Sequence, residues 1–153
     1  MVEVDATMQR LGTAIDLIGR GERDAARRVL DQLWTEVADG PNPLHRCAVA
    51  HHLADVQDDL ADELAWDQCA LEAADSVTDE QAARAGVLGP VASFYPSLHL
   101  NLGEDHRRLG DLAAARRHVD LGRQAVRALG DDGYAALVER GLTALAARLA
   151  DEG

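Results

Sequence analysis

The apolar residues of this chain recur at steps of three and four, which is the spacing of one face of an α-helix. The first such stripe consists of Val4, Met8, Leu11, Ile15 and Ile18. Similar stripes return after each interruption by glycine or proline. No segment alternates apolar and polar residues long enough to suggest a strand. The pattern therefore predicts an all-α protein.

The stripes group into antiparallel pairs, because short connections make consecutive helices pack side by side. We expect one domain over residues 1–153, with three helix pairs, a C-terminal capping helix and an irregular insertion. Their predicted ranges are about 4–38, 43–77 and 96–129 for the pairs, 133–150 for the capping helix and 78–95 for the insertion. The third helix is expected to run from Pro43 to about Leu60.

Several helix ends are marked by residues with known end preferences. Gly110 suits the end of one helix, because glycine adopts a left-handed conformation cheaply, and Asp111 suits the start of the next. Thr78 and Gln81 have the spacing of a capping box for a short helix inside the insertion. Gly130 is expected to stop the sixth helix.

An internal repeat supports the paired arrangement. The residues that carry it are Leu102, Gly103, His106, Gly110, Asp111, Ala115, Val119 and Gly122. Their order resembles a tetratricopeptide repeat, which has Leu-Gly early in its first helix, then a Gly-Asp turn, then small residues where the helices cross. Weaker copies begin near Gly21 and Leu53, and the segment FYPSLHLNLGEDHRRLGDLAAARRH resembles small tetratricopeptide proteins of GC-rich bacteria.

This resemblance implies a short right-handed superhelical stack with a concave groove. It implies a binding role and no particular ligand. Because the sequence contains no known catalytic motif, we expect a non-catalytic binding or adaptor protein. In this family the first helix of each pair lines the groove.

The composition excludes several classes of function. The net charge is −12, and all fifteen basic residues are arginine, which excludes chemistry that depends on lysine. A chain this acidic repels nucleic acid. Neither a secretory signal nor a stretch of 18 apolar residues is found, so we expect a cytoplasmic protein that does not enter a membrane. No cofactor motif is present.

The charge is concentrated in one segment. Between Cys47 and Ala83 there are ten acidic residues and no arginine. If the third and fifth helices line a groove, residues three, four and seven apart share its surface. We therefore expect the groove to be formed by His51, His52, Asp55, Asp59, Asn101, Glu104 and Arg108. Its partner would be a cationic peptide, protein segment or small molecule. The simpler alternative is a solvated acidic face.

A second hypothesis is a metal- or small-molecule-binding module on the third helix. Cys47, His51, His52 and Asp55 are of ligand type and lie about one turn apart. A weaker third hypothesis is an enzyme that uses histidine and carboxylate acid–base chemistry. No known catalytic motif supports it.

Other side chains are expected to be structural. Trp34 and Trp66 should lie in the core, His106 should be a packed histidine, and His118 should be at the surface. The sixth helix carries an arginine stripe made of Arg116, Arg117, Arg123 and Arg127. It should face solvent, with Asp120 pairing with Arg116 one turn back. Otherwise it could dock on the acidic segment of another copy and give a homodimer.

Overall fold

A computed structural model describes residues 4–87, 89–129 and 133–153. These residues form eight α-helices and one short 3₁₀-helix, with no strand among them, so the predicted all-α class is confirmed. The chain divides into an N-terminal unit, Met1–Pro90, and a C-terminal unit, Val91–Gly153. The boundary falls inside the predicted insertion. A single tetratricopeptide-like stack stays a prediction.

The N-terminal unit contains five helices. They are α1 (Ala6–Gly19), α2 (Arg23–Val37), α3 (Pro43–Asp55), α4 (Leu60–Ala74) and the short α5 (Asp79–Arg84). The C-terminal unit starts with the 3₁₀-helix Val91–Phe94 and continues with α6 (Tyr95–Arg108), α7 (Leu112–Arg127) and α8 (Gly133–Glu152). No helix in the described residues is long and apolar enough to cross a membrane.

The helix ends follow the sequence closely. The capping box of Thr78 and Gln81 is present at the start of α5, with N···O distances of 3.0 and 3.1 Å. Asp111 caps α7 by accepting from the backbone N–H of Ala114 at 3.1 Å. Gly110, which precedes it, has a φ of +87° and so sits in the left-handed region that favours glycine. The predicted stop at Gly130 lies outside the described residues.

In the N-terminal unit, α3 packs against α1, α2 and α4. The core between them consists of Leu11, Ala14, Ala26, Leu30, Leu33, Val37, Val49, Leu53 and Val56. Trp34 and Trp66 are half-buried against this core. Their rings meet edge to face, with centroids 4.8 Å apart and planes at 85°. This geometry is favourable for aromatic pairs, and it ties α2 to α4.

In the C-terminal unit, α6 and α7 form a pair, and α8 packs against both. The helices approach closely at small residues. A Cβ added to Gly122 on α7 would lie 2.8 Å from Cδ2 of Leu142 on α8, and one added to Gly103 on α6 would lie 2.8 Å from Cδ2 of Leu145. Both leucines are fully buried. Gly103 and Gly122, two residues of the predicted repeat, therefore lie where helices approach closely.

The third helix is shorter than predicted. It ends at Asp55 rather than near Leu60. In the loop that follows, Arg27 donates to the carbonyl oxygen of Val56, and Arg23 donates to that of Gln57. These side chains from α2 take the carbonyl groups that a longer helix would have used.

Candidate functional site

The predicted site residues fall into two groups. His51, His52, Asp55 and Asp59 belong to the N-terminal unit, and Asn101, Glu104 and Arg108 belong to the C-terminal unit. The two groups belong to different units, and each is described by itself.

On α3, the buried face is apolar and the accessible side carries polar groups. The rings of His51 and His52 are 5.0 Å apart and meet edge to face. Nδ1 of His52 lies 3.6 Å from Oδ2 of Asp55, an exposed carboxylate one turn later. The structure thus brings these three predicted residues together at the C-terminal end of α3.

Behind them lies a buried acidic side chain that the sequence did not single out. Asp67 on α4 is 1% exposed, and its Oδ1 is 3.9 Å from Nδ1 of His51. Burial lowers the pKa of His51, and the neighbouring His52 lowers it further, while Asp55 acts in the opposite direction. Burial therefore favours the neutral form of His51.

Asp59 has a structural role rather than a place on the face of α3. Because α3 ends at Asp55, Asp59 falls in the connection and becomes the N-cap of α4. Its Oδ1 accepts from the backbone N–H of Ala61 at 2.7 Å and from that of Asp62 at 3.4 Å. The expectation that Asp59 lies on the same helical face as His52 and Asp55 is wrong for this reason.

Two substitutions of Asp59 test this role. Asparagine caps helices as well as aspartate does, whereas alanine leaves the first N–H groups without an acceptor. We expect Asp59→Ala to reduce the free energy of unfolding by about 1 kcal/mol and Asp59→Asn to change it by only a few tenths. Urea denaturation followed by circular dichroism measures both. Equal losses in the two variants would show that the charge, not the cap, matters.

Although His51, His52 and Asp55 lie close together, the proposed ligands are not arranged as a metal site. Among the described residues, no group of three or more histidine, cysteine, aspartate or glutamate side chains is arranged to hold a metal ion. Cys47 is buried, and burial together with nearby Cys69 raises the pKa of its thiol to about 12. The thiol is therefore protonated at physiological pH, whereas metal ligation and nucleophilic attack need the thiolate.

Arginines of the same unit neutralise part of the acidic segment. Asp58 pairs with Arg23 and Arg27 of α2, and hydrogen bonding and charge from Arg23 lower the pKa of Asp58. Glu80 pairs with Arg84 within α5. Asp58 and Glu80 therefore already pair with arginines of the same chain at its surface.

Other carboxylates of the segment remain at the surface. Asp55, Asp62 and Glu72 are exposed, and the described part of the chain provides no arginine within ion-pair distance of any of them. Asp62 and Glu72 lie on one side of α4, because residues 62, 65, 69 and 72 step by three, four and three. Asp55 ends α3, the helix that packs against α4. We call the three exposed carboxylates of Asp55, Asp62 and Glu72 the acidic face.

In the C-terminal unit, the carboxylate of Glu104 already pairs with two arginines of the same unit. Its carboxylate accepts from Arg107 Nη2 at 2.5 Å and lies 3.5 Å from Nη2 of Arg148 on α8. Arg107 also reaches Glu152 at 2.7 Å. The hydrogen bond from Arg107 lowers the pKa of Glu104 despite partial burial. This network fastens α6 to α8, with Asn101 half-buried and Arg108 exposed nearby on α6.

The arginine stripe on α7 is only partly as expected. Arg117 and Arg127 are exposed. Arg116 does not pair with Asp120, however. Instead, Nη2 of Arg116 donates a hydrogen bond to the carbonyl oxygen of Leu149 on α8, at 3.4 Å. This arginine helps to hold the last helix in place.

The expectation for His118 is wrong. It is half-buried and stacks between two histidines of α6, with ring centroids 5.3 Å from His99 and 5.4 Å from His106. Its Nδ1 lies 3.0 Å from Nδ1 of His99. The charged neighbours of His118 in sequence concealed this position, although the seven-residue spacing of His99 and His106 placed both on one face of α6.

Comparison with known proteins assigns neither a family nor a function to the chain. No family model, curated protein or solved structure matches the chain. The function must be argued from the residues described above.

Proposed function

We propose that this chain is a non-catalytic, tetratricopeptide-like binding protein whose N-terminal unit holds a cationic peptide or protein segment on its acidic face. The observation that carries the proposal is that Asp55, Asp62 and Glu72 lie at the surface and that no arginine of the described residues is within ion-pair distance of them. By contrast, the exposed carboxylates of Asp58 and Glu80 pair with arginines of the same unit.

The charge distribution between the two units supports a cationic partner. The N-terminal unit has eighteen acidic residues and seven arginines, giving −11, while the C-terminal unit has nine acidic residues and eight arginines, giving −1. Almost the whole net charge therefore belongs to the unit with the acidic face. Such a field increases the rate at which cationic partners arrive and opposes anionic ones.

The packing of the helices agrees with a repeat protein that binds through its surface. In the N-terminal unit α3 contacts both helices of the preceding pair, and in the C-terminal unit α8 does the same with α6 and α7. Each new helix thus covers the pair before it, as expected when stacked units build a core together.

Binding of a labelled arginine-rich peptide tests the proposal. We expect the variant Asp55→Asn/Asp62→Asn/Glu72→Gln to bind about tenfold more weakly at low salt, since each exposed charge pair contributes roughly 0.2–1 kcal/mol. Fluorescence anisotropy of the peptide gives both dissociation constants. Added salt should weaken binding to the native chain, because it screens exposed charges.

A matched control separates a site from net charge alone. Asp16→Asn/Asp31→Asn/Asp39→Asn removes the same charge from exposed positions on and after α1 and α2. This control should bind nearly as tightly as the native chain. If both triple variants lose the same affinity, or if the native chain does not bind the peptide, the acidic face is not the site.

A further inference from the structure

The three stacked histidines of the C-terminal unit are not explained by the proposed binding function. His99 and His106 lie seven residues apart on α6, and His118 projects from α7 between them. His99 is 9% exposed, and the other two rings are partly buried. Three groups that can each carry a positive charge are therefore packed at the contact between two helices.

Their geometry limits how many protons the cluster can hold. The 3.0 Å contact between the Nδ1 atoms of His99 and His118 requires one nitrogen to donate and the other to accept. One proton added to the pair can be accommodated, because an imidazolium can donate to a neutral imidazole. When both rings are protonated, both Nδ1 atoms carry hydrogens, and the contact becomes repulsive.

Aromatic and charged groups from α6, α7 and the turn between them lie close to the three rings. From α6, Tyr95 approaches His99 with ring centroids 6.3 Å apart, and from the turn Oδ2 of Asp111 lies 3.8 Å from Nδ1 of His106. On α7 itself, Arg117 adds a positive charge. From α8, Leu142 packs at Gly122 and Leu145 at Gly103, and the 3₁₀-helix Val91–Phe94 has no titratable side chain.

We propose that the His99–His118–His106 stack is a proton-operated switch that holds α6 against α7 at neutral pH and loosens this helix pair when acidification adds a second proton. The trigger is the loss of the Nδ1–Nδ1 contact together with repulsion between neighbouring imidazolium rings. The inference is independent of the acidic face, which belongs to the other unit.

The titration behaviour agrees with this geometry. Burial, then His99, His106 and Arg117, lower the pKa of His118 to about 4. In the unfolded chain a histidine has a pKa of about 6.5. Between these two values the unfolded chain binds a proton that the folded chain does not, so stability is greatest above about pH 6.5 and falls as pH decreases toward 4.

Denaturation of the full-length chain at a series of pH values tests the switch. For the native sequence we expect the ratio of folded to unfolded protein to fall on the order of tenfold or more between pH 6.5 and 4.5 beyond the effect of other groups. His118→Phe retains a flat ring without a titrating nitrogen, so this part of the decrease should disappear. His118→Asn should lose it as well, which covers the case in which one variant folds poorly.

Two further measurements locate the effect. His52→Asn, a change in the N-terminal unit, should keep the pH dependence of the native chain. Hydrogen exchange, corrected for the intrinsic effect of pH, should show protection lost in α6 and α7 before α3 and α4. The proposal is overturned if both His118 variants keep the native pH dependence, or if nuclear magnetic resonance shows three histidines of this unit titrating independently near pH 6.5.

Discussion

Replacing Leu142 by alanine should destabilise the C-terminal unit by about 3 kcal/mol, within the usual range of 2–5 kcal/mol for a fully buried leucine. Leu142 is 0% exposed, and its methyl groups fill the space that Gly122 leaves on α7. The truncation removes these contacts and leaves a cavity that rigid helices fill only in part. Urea denaturation followed by far-ultraviolet circular dichroism measures the loss.

The matched control for this substitution lies on the same helix. Leu137 is 58% exposed, so Leu137→Ala should change the free energy of unfolding by no more than about 0.5 kcal/mol. Similar losses in the two variants would mean that α8 does not pack through the face described here.

The opposite change at the same contact should also be costly. A Cβ on Gly122 would meet Leu142 at 2.8 and 3.2 Å and Cβ of His99 at 3.4 Å, so a whole side chain has no room. We expect Gly122→Leu to cost about 2–3 kcal/mol through overpacking, even though leucine favours the helix more than glycine does. Thermal and urea denaturation both report this loss.

Gly12 provides the contrast. It lies within α1, and an added Cβ would meet nothing within 4 Å. Gly12→Leu should therefore be neutral or stabilising by up to about 1 kcal/mol. A loss at Gly12 as large as that at Gly122 would attribute the effect to leucine in a helix rather than to the contact with α8.

A double-mutant cycle with the smaller substitution Gly122→Ala tests the same contact between α7 and α8. In Gly122→Ala/Leu142→Ala the new methyl group enters space that the leucine has vacated. The double variant should therefore lose less stability than the sum of the single variants, with a coupling of at least about 0.5 kcal/mol. Simple additivity would show that the two residues do not touch.

Much of the fold could be predicted because its determinants are local. Apolar spacing places the helices to within a few residues, and Thr78, Gly110 and Asp111 carry the end signals that the structure uses. The exception is the end of α3. No glycine or proline marks it, and the arginines that take the loop carbonyls come from α2, about thirty positions earlier.

The candidate site was harder to predict, because its residues depend on distant partners. The sequence could not show that Asp58 pairs with Arg23, or that Glu104 is held by Arg148 from α8. Likewise, the charged neighbours of His118 suggested solvent, whereas the register of α6 against α7 decides its position. The spacing of acids along the chain indicates only which charges exist, and the fold decides which of them remain at the surface.

The edge-to-face contact of Trp34 with Trp66 has a practical consequence for spectroscopy. These are the two tryptophans of the sequence, both in the N-terminal unit, while both tyrosines, Tyr95 and Tyr134, belong to the C-terminal unit. Fluorescence excited selectively in the tryptophans therefore reports on the N-terminal unit alone. Excitation at a wavelength that tyrosine also absorbs adds a signal from the C-terminal unit. One unmodified sample thus carries a separate intrinsic fluorophore for each half of the molecule.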